Sequence, residues 1–368
     1  MRRLHLVGEK ISQDAFLRLA QSSAGRVLFP RLESLSCEVE GMVIASSCFR
    51  LFFPPQLKSV ILYTRIYALD GIPTDHVEAL VHIISLLTNS LEDLYLGYDG
   101  QAREPLLEDT LSSFVCRRGS SLRVFDSDIP LSETAIHHLM QLPNIRRVAT
   151  HEPPRTLPPV IFPSLESLRL KSAVLPWLRL LSPVTHTQRE TLETLECPRG
   201  TIIDSTLSSS VAPFHNLVRL KVDGYCSGSE GCIFRLTDDD VESLAAALPC
   251  LTSVDFVRPC RNNSCETTIS SLLSLSIHCL ELDFLEIHFN TRTIMNDIRR
   301  LLDGGFGCDK AKCRLWCLSA GDVPLEVGEE DIETVVMAFK AIFPCLESCI
   351  RVRGRWGLVH HALLDRCT

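Results

Sequence analysis

The sequence has no apolar run long enough to cross a membrane. No stretch approaches the roughly 18 consecutive apolar residues that a membrane-spanning helix needs. The first ten residues, MRRLHLVGEK, contain two arginines, but no apolar segment of signal-peptide length follows them. We therefore expect neither a membrane protein nor a secreted one.

Positive charge is also scarce. The chain has 37 lysines and arginines against 45 aspartates and glutamates, which gives a net charge of −8 at pH 7. Binding to nucleic acids or to anionic membrane surfaces usually depends on an excess of basic residues. The composition therefore predicts neither a nucleic acid nor a membrane as partner.

Motifs typical of enzymes and metal sites are missing too. The chain contains no G-x-x-x-x-G-K phosphate loop, no G-x-S-x-G nucleophile elbow and no H-E-x-x-H zinc motif. Although it has 16 cysteines, none of them are spaced as C-x-x-C. We therefore predict a non-enzymatic protein with no catalytic residues, no cofactor and no metal.

Several cysteines stand in or beside the repeated segments described next, where a thiol packs as a small hydrophobic group. Free thiols that are buried in this way, together with the missing secretory signal, indicate a reducing compartment. The predicted location is therefore the cytoplasm or the nucleus. The cysteines concerned are Cys37, Cys197, Cys250, Cys317, Cys345 and Cys349.

What the sequence does contain is one segment that recurs about a dozen times. FPRLESLSC at Phe29–Cys37 returns as FPSLESLRL at Phe162–Leu170, LPCLTSVDF at Leu248–Phe256 and FPCLESCIR at Phe343–Arg351. The first apolar core residue recurs at intervals of 20 to 34 residues, with a mean of about 28, near the period of leucine-rich repeats. These residues are Leu32, Leu57, Leu91, Leu122, Ile145, Leu165, Leu192, Leu217, Leu251, Leu282, Leu315 and Leu346.

Each copy has the pattern of a strand followed by a helix. A second apolar residue comes three positions after the first and often a third two positions later, an alternation typical of a half-buried strand. Between the copies, apolar residues fall at helical spacing, and the stretch Thr237–Pro249 begins with a capping box of Thr237 and Asp240. The other predicted helices are Ser12–Ala20, Thr74–Leu87, Glu108–Val115, Ser132–Leu142, Glu266–His278 and Glu330–Phe343.

One strand–turn–helix unit cannot bury both its faces alone, so the units must stack. We predict an α/β fold, an irregular leucine-rich-repeat solenoid in which a curved array of parallel strands carries helices on its convex side. Residues 1–368 would form a single domain of about 12 repeats, with a proline-rich loop at 151–161 and a C-terminal capping repeat at 344–368. A doubly wound open sheet is the competing fold, but the polar residues between the apolar strand positions argue against it.

Three segments resemble the leucine-rich-repeat half of fungal F-box proteins, of the type found in mushroom-forming fungi. They are Leu28–Cys37, Leu236–Phe256 and Val335–Trp356, and the similarity in texture extends over the whole chain. The resemblance implies a role in substrate recognition for a cullin–RING ubiquitin ligase. In that family the final FP-x-L core and a tryptophan close the repeat array, and the matching residues are Phe343, Pro344, Leu346 and Trp356.

The F-box itself, which binds the ligase adaptor in that family, is not recognised in this chain. The family's F-box opens with a motif similar to Leu-Pro-x-Glu, whereas Arg2–Leu6 already has the pattern of a repeat strand. We therefore expect the adaptor as a partner only if an F-box lies upstream of this sequence.

The partner-binding residues are predicted on the concave face of the strands. In a solenoid, side chains that alternate with the buried positions face away from the core. A surface of mixed charge with aromatic side chains suits a protein partner. The predicted partner-binding residues are Asp93, Tyr95, Asp126, Arg147, Arg169, Glu196, Arg219, Lys221, Asp255, Phe284 and Glu286.

Three functions remain open from the sequence. The first is substrate recognition within an F-box type ubiquitin-ligase receptor. The second is a free-standing scaffold or inhibitor-like binder without a ligase. The third is a GTPase-activating repeat protein, which would need a protruding arginine or asparagine on a rigid loop, and the sequence singles out no such residue.

Overall fold

The computed structural model describes residues 2–7, 18, 21–23, 26–40, 50–65, 74–98, 104–151, 154, 156, 162–172, 190–198, 201–223, 234–257, 265–303, 313–320, 325–349 and 355–364. In this part of the chain, thirteen strands lie in one sheet, in the order of the sequence. All strand pairs with an assigned register are parallel. The strands are β1 Arg3–Val7, β2 Ser34–Glu40, β3 Ser59–Arg65, β4 Asp93–Tyr98, β5 Val124–Ser127, β6 Arg147–Thr150, β7 Ser167–Leu170, β8 Thr194–Cys197, β9 Arg219–Asp223, β10 Ser253–Val257, β11 Phe284–Glu286, β12 Cys317–Ser319 and β13 Ser348–Cys349.

Helices connect many of these strands. Within each of the two units described below, helices that follow one another in sequence pack against each other. None of the described helices is both long enough and apolar enough to cross a membrane. The helices are α1 Thr74–Leu86, α2 Pro105–Arg118, α3 Glu133–Gln141, α4 Ser205–Val211, α5 Asp238–Ala247, α6 Ile269–His278, α7 Ile294–Asp303, α8 Ile332–Ile342 and α9 Trp356–Leu364.

The contacts divide the chain into two compact units, Met1–Ser167 and Leu168–Thr368. Helices α1 to α3 belong to the first unit, and α4 to α9 belong to the second. In both units the core combines the recurring apolar strand positions with apolar residues of the helices. All twelve of the residues that set the repeat period are at most 4% exposed.

Backbone hydrogen bonds at the start of most of the described strands keep successive repeats in register. The carbonyl of Lys58 accepts from the N–H groups of Glu92 at 2.7 Å and Asp93 at 2.9 Å. One repeat later, the carbonyl of Glu92 accepts from Arg123 at 2.7 Å and Val124 at 3.1 Å. Because this pairing recurs, equivalent residues of neighbouring repeats lie side by side at the spacing of strands, about 4.8 Å.

Side chains in the turns before the strands add bonds between repeats. Ser90 directly precedes a buried leucine, and its hydroxyl donates to the carbonyl of Leu57 at 3.2 Å. Ser121 occupies the same place one repeat later and donates to the carbonyl of Leu91 at 2.7 Å. These hydroxyls satisfy turn carbonyls that would otherwise need water.

The predicted α/β repeat solenoid is confirmed. Each strand lies beside its neighbours in sequence, whereas the strand order of a doubly wound sheet reverses at a switch point. The predicted capping box is also present, because Asp240 N–H donates to Thr237 Oγ1 at 3.2 Å and Thr237 N–H donates to Asp240 Oδ2 at 2.9 Å. Most of Ser12–Ala20 and of the proline-rich stretch 151–161 lies outside the described residues. The capping repeat at 344–368 stays a prediction.

The prediction of buried thiols needs one correction. Cys37, Cys197, Cys317 and Cys349 are buried as expected, but Cys250 and Cys345 are exposed. Both exposed cysteines directly precede the first core leucine of a repeat, which is the turn position that Ser90 and Ser121 occupy. This turn position precedes the strand, where buried and accessible side chains alternate. A residue there can therefore be exposed even though the next residue in sequence is a core leucine.

Candidate functional site

The side chains that alternate with the buried strand residues form the candidate site. We call this surface the outer strand face. Along β4 the alternation is regular, with Leu94 and Leu96 buried and the residues between them partly accessible. The outer strand face consists of Ser59, Ile61, Tyr63, Asp93, Tyr95, Gly97, Val124, Asp126 and Arg147 in the first unit. In the second unit it consists of Arg169, Thr194, Glu196, Arg219, Lys221, Ser253, Asp255, Phe284 and Glu286.

In the first unit, acidic and aromatic side chains lie next to one another on this face. Tyr95 pairs in register with Ile61 on one side and Asp126 on the other. Asp93 and Arg147 are both in register with Val124, on opposite sides of it. Tyr95, Asp93 and Asp126 are half-buried, and Arg147 is exposed.

Burial sets the electrostatics of this group. The pKa of Asp93 lies above its ordinary value, first because the carboxyl is partly desolvated and second because Glu92 is near. Arg123 and Arg147 act in the opposite direction but do not cancel the effect. Burial, followed by the charge of Asp93, also raises the pKa of Tyr95. The charged form of Asp93 is therefore not fully compensated by its surroundings.

In the second unit, ion pairs join neighbouring strands across the outer strand face. Arg169 Nε lies 3.3 Å from Glu196 Oε2, and Lys221 Nζ lies 3.9 Å from Asp255 Oδ2. Arg219 is exposed, and its guanidinium has no ion pair within the described part of the chain. Solvent-exposed ion pairs stabilise a fold little, about 0–1 kcal/mol each.

One predicted partner-binding residue is misplaced by the sequence pattern. Glu286 was expected on the surface, but its side chain is only 1% exposed. The alternation of strand β11 stops there, because all residues from 285 to 289 are buried. Its neighbour in register, Ser319, is fully buried as well. Glu286 is therefore not an accessible contact residue. On β11, the accessible part of the outer strand face is limited to the half-buried Phe284.

Two exposed aromatic residues were missed by sequence reasoning. Tyr63 is 48% exposed and continues the outer strand face two positions beyond Ile61. Trp316 is 49% exposed and directly follows the buried Leu315. The repeat pattern could have identified Tyr63 if the alternation had been extended by one more step. No periodic signal marks Trp316, because it precedes its strand.

Within the part of the chain that the structure describes, neither a metal site nor a cleft provides a stronger candidate. No group of three or more histidine, cysteine or acidic side chains there could hold a metal ion. A cleft of about 330 Å³ lies between α1 and α2. Its Arg118 donates to the carbonyls of Ser85 at 3.0 Å and Leu87 at 2.9 Å, so this guanidinium serves to end helix α1.

Comparisons with known proteins yield only a structural similarity at low sequence identity. No protein-family profile matches the chain, and no curated protein matches it. Among solved structures, it is similar to a chain in the crystal structure of the Rad7 and Elc1 complex in yeast. That match has a TM-score of 0.42 and 14% identity, and it covers 86% of this chain and 68% of the other. A likeness of this degree does not indicate a shared function.

Proposed function

We propose that this protein is a non-enzymatic scaffold that recognises another protein through its outer strand face. The observation that supports this most is the register of the strands, which sets charged and aromatic side chains of successive repeats side by side. Such a surface is extended and of mixed charge, as protein-binding surfaces commonly are. A nucleic acid would instead require a basic face.

Within this proposal, the finer role is substrate recognition in an F-box type ubiquitin-ligase receptor. Only the sequence resemblance of the repeat segments supports this finer role. The alternative is a free-standing scaffold or inhibitor-like binder without a ligase. For the GTPase-activating role, the sequence singles out no arginine or asparagine. Binding of the ligase adaptor distinguishes the ubiquitin-ligase receptor from the free-standing scaffold.

The proposed location is the cytoplasm or the nucleus. Cys37, Cys197, Cys279 and Cys349 are free and buried, and burial raises the pKa of each of these thiols to about 12. Free, protonated thiols in the core are consistent with a reducing compartment, where disulfides are rare.

A tagged pull-down from the source cells, read by mass spectrometry, tests the proposal. We would compare the wild type with the double variant Arg219→Glu/Lys221→Glu on the outer strand face. The matched control is Arg299→Glu/Arg300→Glu, which makes the same charge change at exposed positions of α7. We expect the face variant to lose proteins that the wild type and the control both retain.

Two further readouts come from the same experiment. Recovery of a ligase adaptor and a cullin with the full-length protein supports the receptor role, and their absence among reproducible partners supports the free-standing scaffold. If the face variant and the helix variant retain the same proteins as the wild type, Arg219 and Lys221 do not belong to the interface.

A further inference from the structure

In each unit, one column of residues lies along the edge of the sheet where the strands begin. We call this column the rim and define it as the residue that directly follows the first core residue of each repeat. The rim residues of the first unit are Glu33, Lys58, Glu92, Arg123, Arg146 and Glu166, and those of the second unit are Glu193, Val218, Thr252, Asp283, Trp316 and Glu347.

Rim side chains of neighbouring repeats reach one another in the first unit. Lys58 Nζ lies 2.9 Å from Glu92 Oε1, and Arg123 Nε lies 3.6 Å from Glu92 Oε2. Arg146 Nη1 lies 2.9 Å from Glu166 Oε1 in the same way. Adjacent rim positions are therefore close enough for direct contact between side chains, and acidic rim residues there have a cation beside them.

The rim of the second unit has acidic residues but no basic one. Its one aromatic residue is Trp316, which lies between Asp283 and Glu347. The Trp316 N–H donates to the carbonyl of Asp283 at 3.3 Å, and the carbonyl of Trp316 accepts from the N–H of Glu347 at 3.0 Å. The three residues are thus immediate neighbours on successive strands, with a spacing of about 4.8 Å.

All three of these side chains are open to solvent. Trp316 is 49% exposed, and Asp283 and Glu347 are exposed as well. Neither carboxylate makes an ion pair with a residue in the described part of the chain. Arg314 is the nearest described cation in sequence, and it is paired with Glu281 at 2.7 Å. This part of the rim therefore has carboxylates without the cation that their equivalents in the first unit contact.

An indole beside two carboxylates has the chemistry of a cation site. A cation above the face of a tryptophan ring is attracted by the ring's quadrupole, and tryptophan is the strongest of the aromatic side chains in this respect. A guanidinium is planar, so it can stack on the indole and still donate hydrogen bonds to a carboxylate at the edge of the ring.

We propose that Trp316, Asp283 and Glu347 form a second contact surface, which binds an arginine side chain of a basic protein segment. The guanidinium lies on the indole between the two carboxylates and takes the place that Lys58 and Arg123 occupy beside Glu92. A nucleic acid fits poorly, because the carboxylates repel its phosphates. This surface is separate from the outer strand face and goes beyond the proposed function.

Fluorine NMR of the full chain labelled with 5-fluorotryptophan tests the inference, since the sequence has only three tryptophans. The probe is the capped peptide acetyl-Gly-Arg-Gly-amide. The control ligand has citrulline in place of arginine, which keeps the shape and removes the charge. The Trp316 signal, assigned with Trp316→Phe, should shift and saturate with the arginine peptide only. The signal of the buried Trp356, assigned with Trp356→Phe, should stay in place.

Matched variants separate a site from general charge attraction. Asp283→Asn and Glu347→Gln should each weaken binding of the arginine peptide by about two- to five-fold, as expected for the loss of one exposed ion pair. Glu242→Gln, which removes an exposed carboxylate from α5 of the same unit, should leave the affinity unchanged. An unchanged Trp356 signal in each variant shows that the repeats remain folded.

The inference is wrong if the arginine peptide does not shift the Trp316 signal or if the citrulline peptide shifts it equally. It is also wrong if Glu242→Gln weakens binding as much as Glu347→Gln. Its failure can be told apart from failure of the proposed function. If the peptide does not bind but Arg219→Glu/Lys221→Glu still loses the native partner, only the rim inference falls. If the peptide binds and the face variant retains the partner, only the outer strand face falls.

Discussion

The carboxylate of Asp238 in the first turn of α5 accepts two hydrogen bonds from Thr268, the residue that caps α6. The Thr268 N–H and hydroxyl each donate to it at 2.7 Å. The hydroxyl of Ser271 also donates to this carboxylate. One acidic side chain therefore fixes the start of the next repeat's helix, so the cap of one helix depends on its neighbour.

Replacing this carboxylate should cost more than removing an ordinary charge. We expect Asp238→Ala to lower the free energy of unfolding by about 1–3 kcal/mol, because it leaves three donors, one backbone N–H and two hydroxyls, without their acceptor. Asp239→Ala is the matched control, since Asp239 is exposed in the same helical turn and feels the same helix dipole. Urea unfolding of both variants decides the point, and equal losses would contradict the role of Asp238.

The exposed pair of Lys58 and Glu92 predicts a pH dependence. Lys58 Nζ donates to Glu92 Oε1 at 2.9 Å, and this bond lowers the pKa of Glu92 and raises that of Lys58. The contribution of Glu92 is present above its ordinary pKa and is lost as the pH falls through its lowered one. That of Lys58 is present below its ordinary pKa and is lost as the pH rises through its raised one.

Lys58→Met keeps the aliphatic stem and removes the charge. We expect the wild type to be slightly more stable than this variant near pH 7, with the difference vanishing towards pH 3 and in 1 M salt. The measurement is the urea midpoint of both proteins across this pH range. A difference that persists at pH 3 would assign the effect to packing instead of the ion pair.

Cysteine labelling reports on the burial of the repeat cores. Cys250 and Cys345 are exposed, whereas Cys279 and Cys349 are buried and burial raises the pKa of each to about 12. Because the thiolate is the reactive form, iodoacetamide at pH 8 should modify the first two well before the second two. Peptide mapping by mass spectrometry gives the order, and labelling in urea should abolish it. Equal native rates at Cys279 and Cys345 would contradict the structure.

An aromatic cluster in the second unit holds α9 against the preceding repeats. Trp356 is 2% exposed, stacks on Phe339 at 5.9 Å and meets Phe289 edge-on at 6.0 Å. Trp356→Ala should therefore lower the free energy of unfolding by about 3–5 kcal/mol, and Trp356→Phe should lower it less. Urea unfolding followed by circular dichroism measures both. A loss below about 1 kcal/mol for the alanine variant would contradict this packing.

The regular positions of the fold could be predicted because they follow one period. Leucines at the recurring strand positions, such as Leu94 and Leu220, are buried as the repeat pattern predicts. Among the helices that are missing from the predicted set, α4 and α9 were missed for opposite reasons. Helix α4, Ser205–Val211, is short and serine-rich, so it has little apolar periodicity. Helix α9, Trp356–Leu364, is apolar on several sides, which hides its buried stripe.

The candidate site was less predictable, because accessibility depends on tertiary structure. Alternation predicts the side of a strand on which a residue lies, but it does not predict whether that side is covered. Glu286 has the right position in the pattern, yet the continuous burial from 285 to 289 hides it. Tyr63 owes its place to Gly97, which lies on another strand 34 residues away, because a Cβ atom at residue 97 would come within 2.5 Å of Tyr63 Cδ1. Predicting a contact of this kind requires knowing how neighbouring strands are paired, and this pairing cannot be derived from a single sequence.

Site-specific photo-crosslinking tests the central claim, recognition through the outer strand face, most directly. Benzoylphenylalanine would replace Tyr95 or Thr194 on that face and, as controls, the exposed Met337 on α8 or Arg299 on α7. With a partner recovered from the source cells, we predict crosslinks from the two face positions and none from the two helix positions. Crosslinks confined to Met337 or Arg299 would contradict the claim and place the partner on the helices.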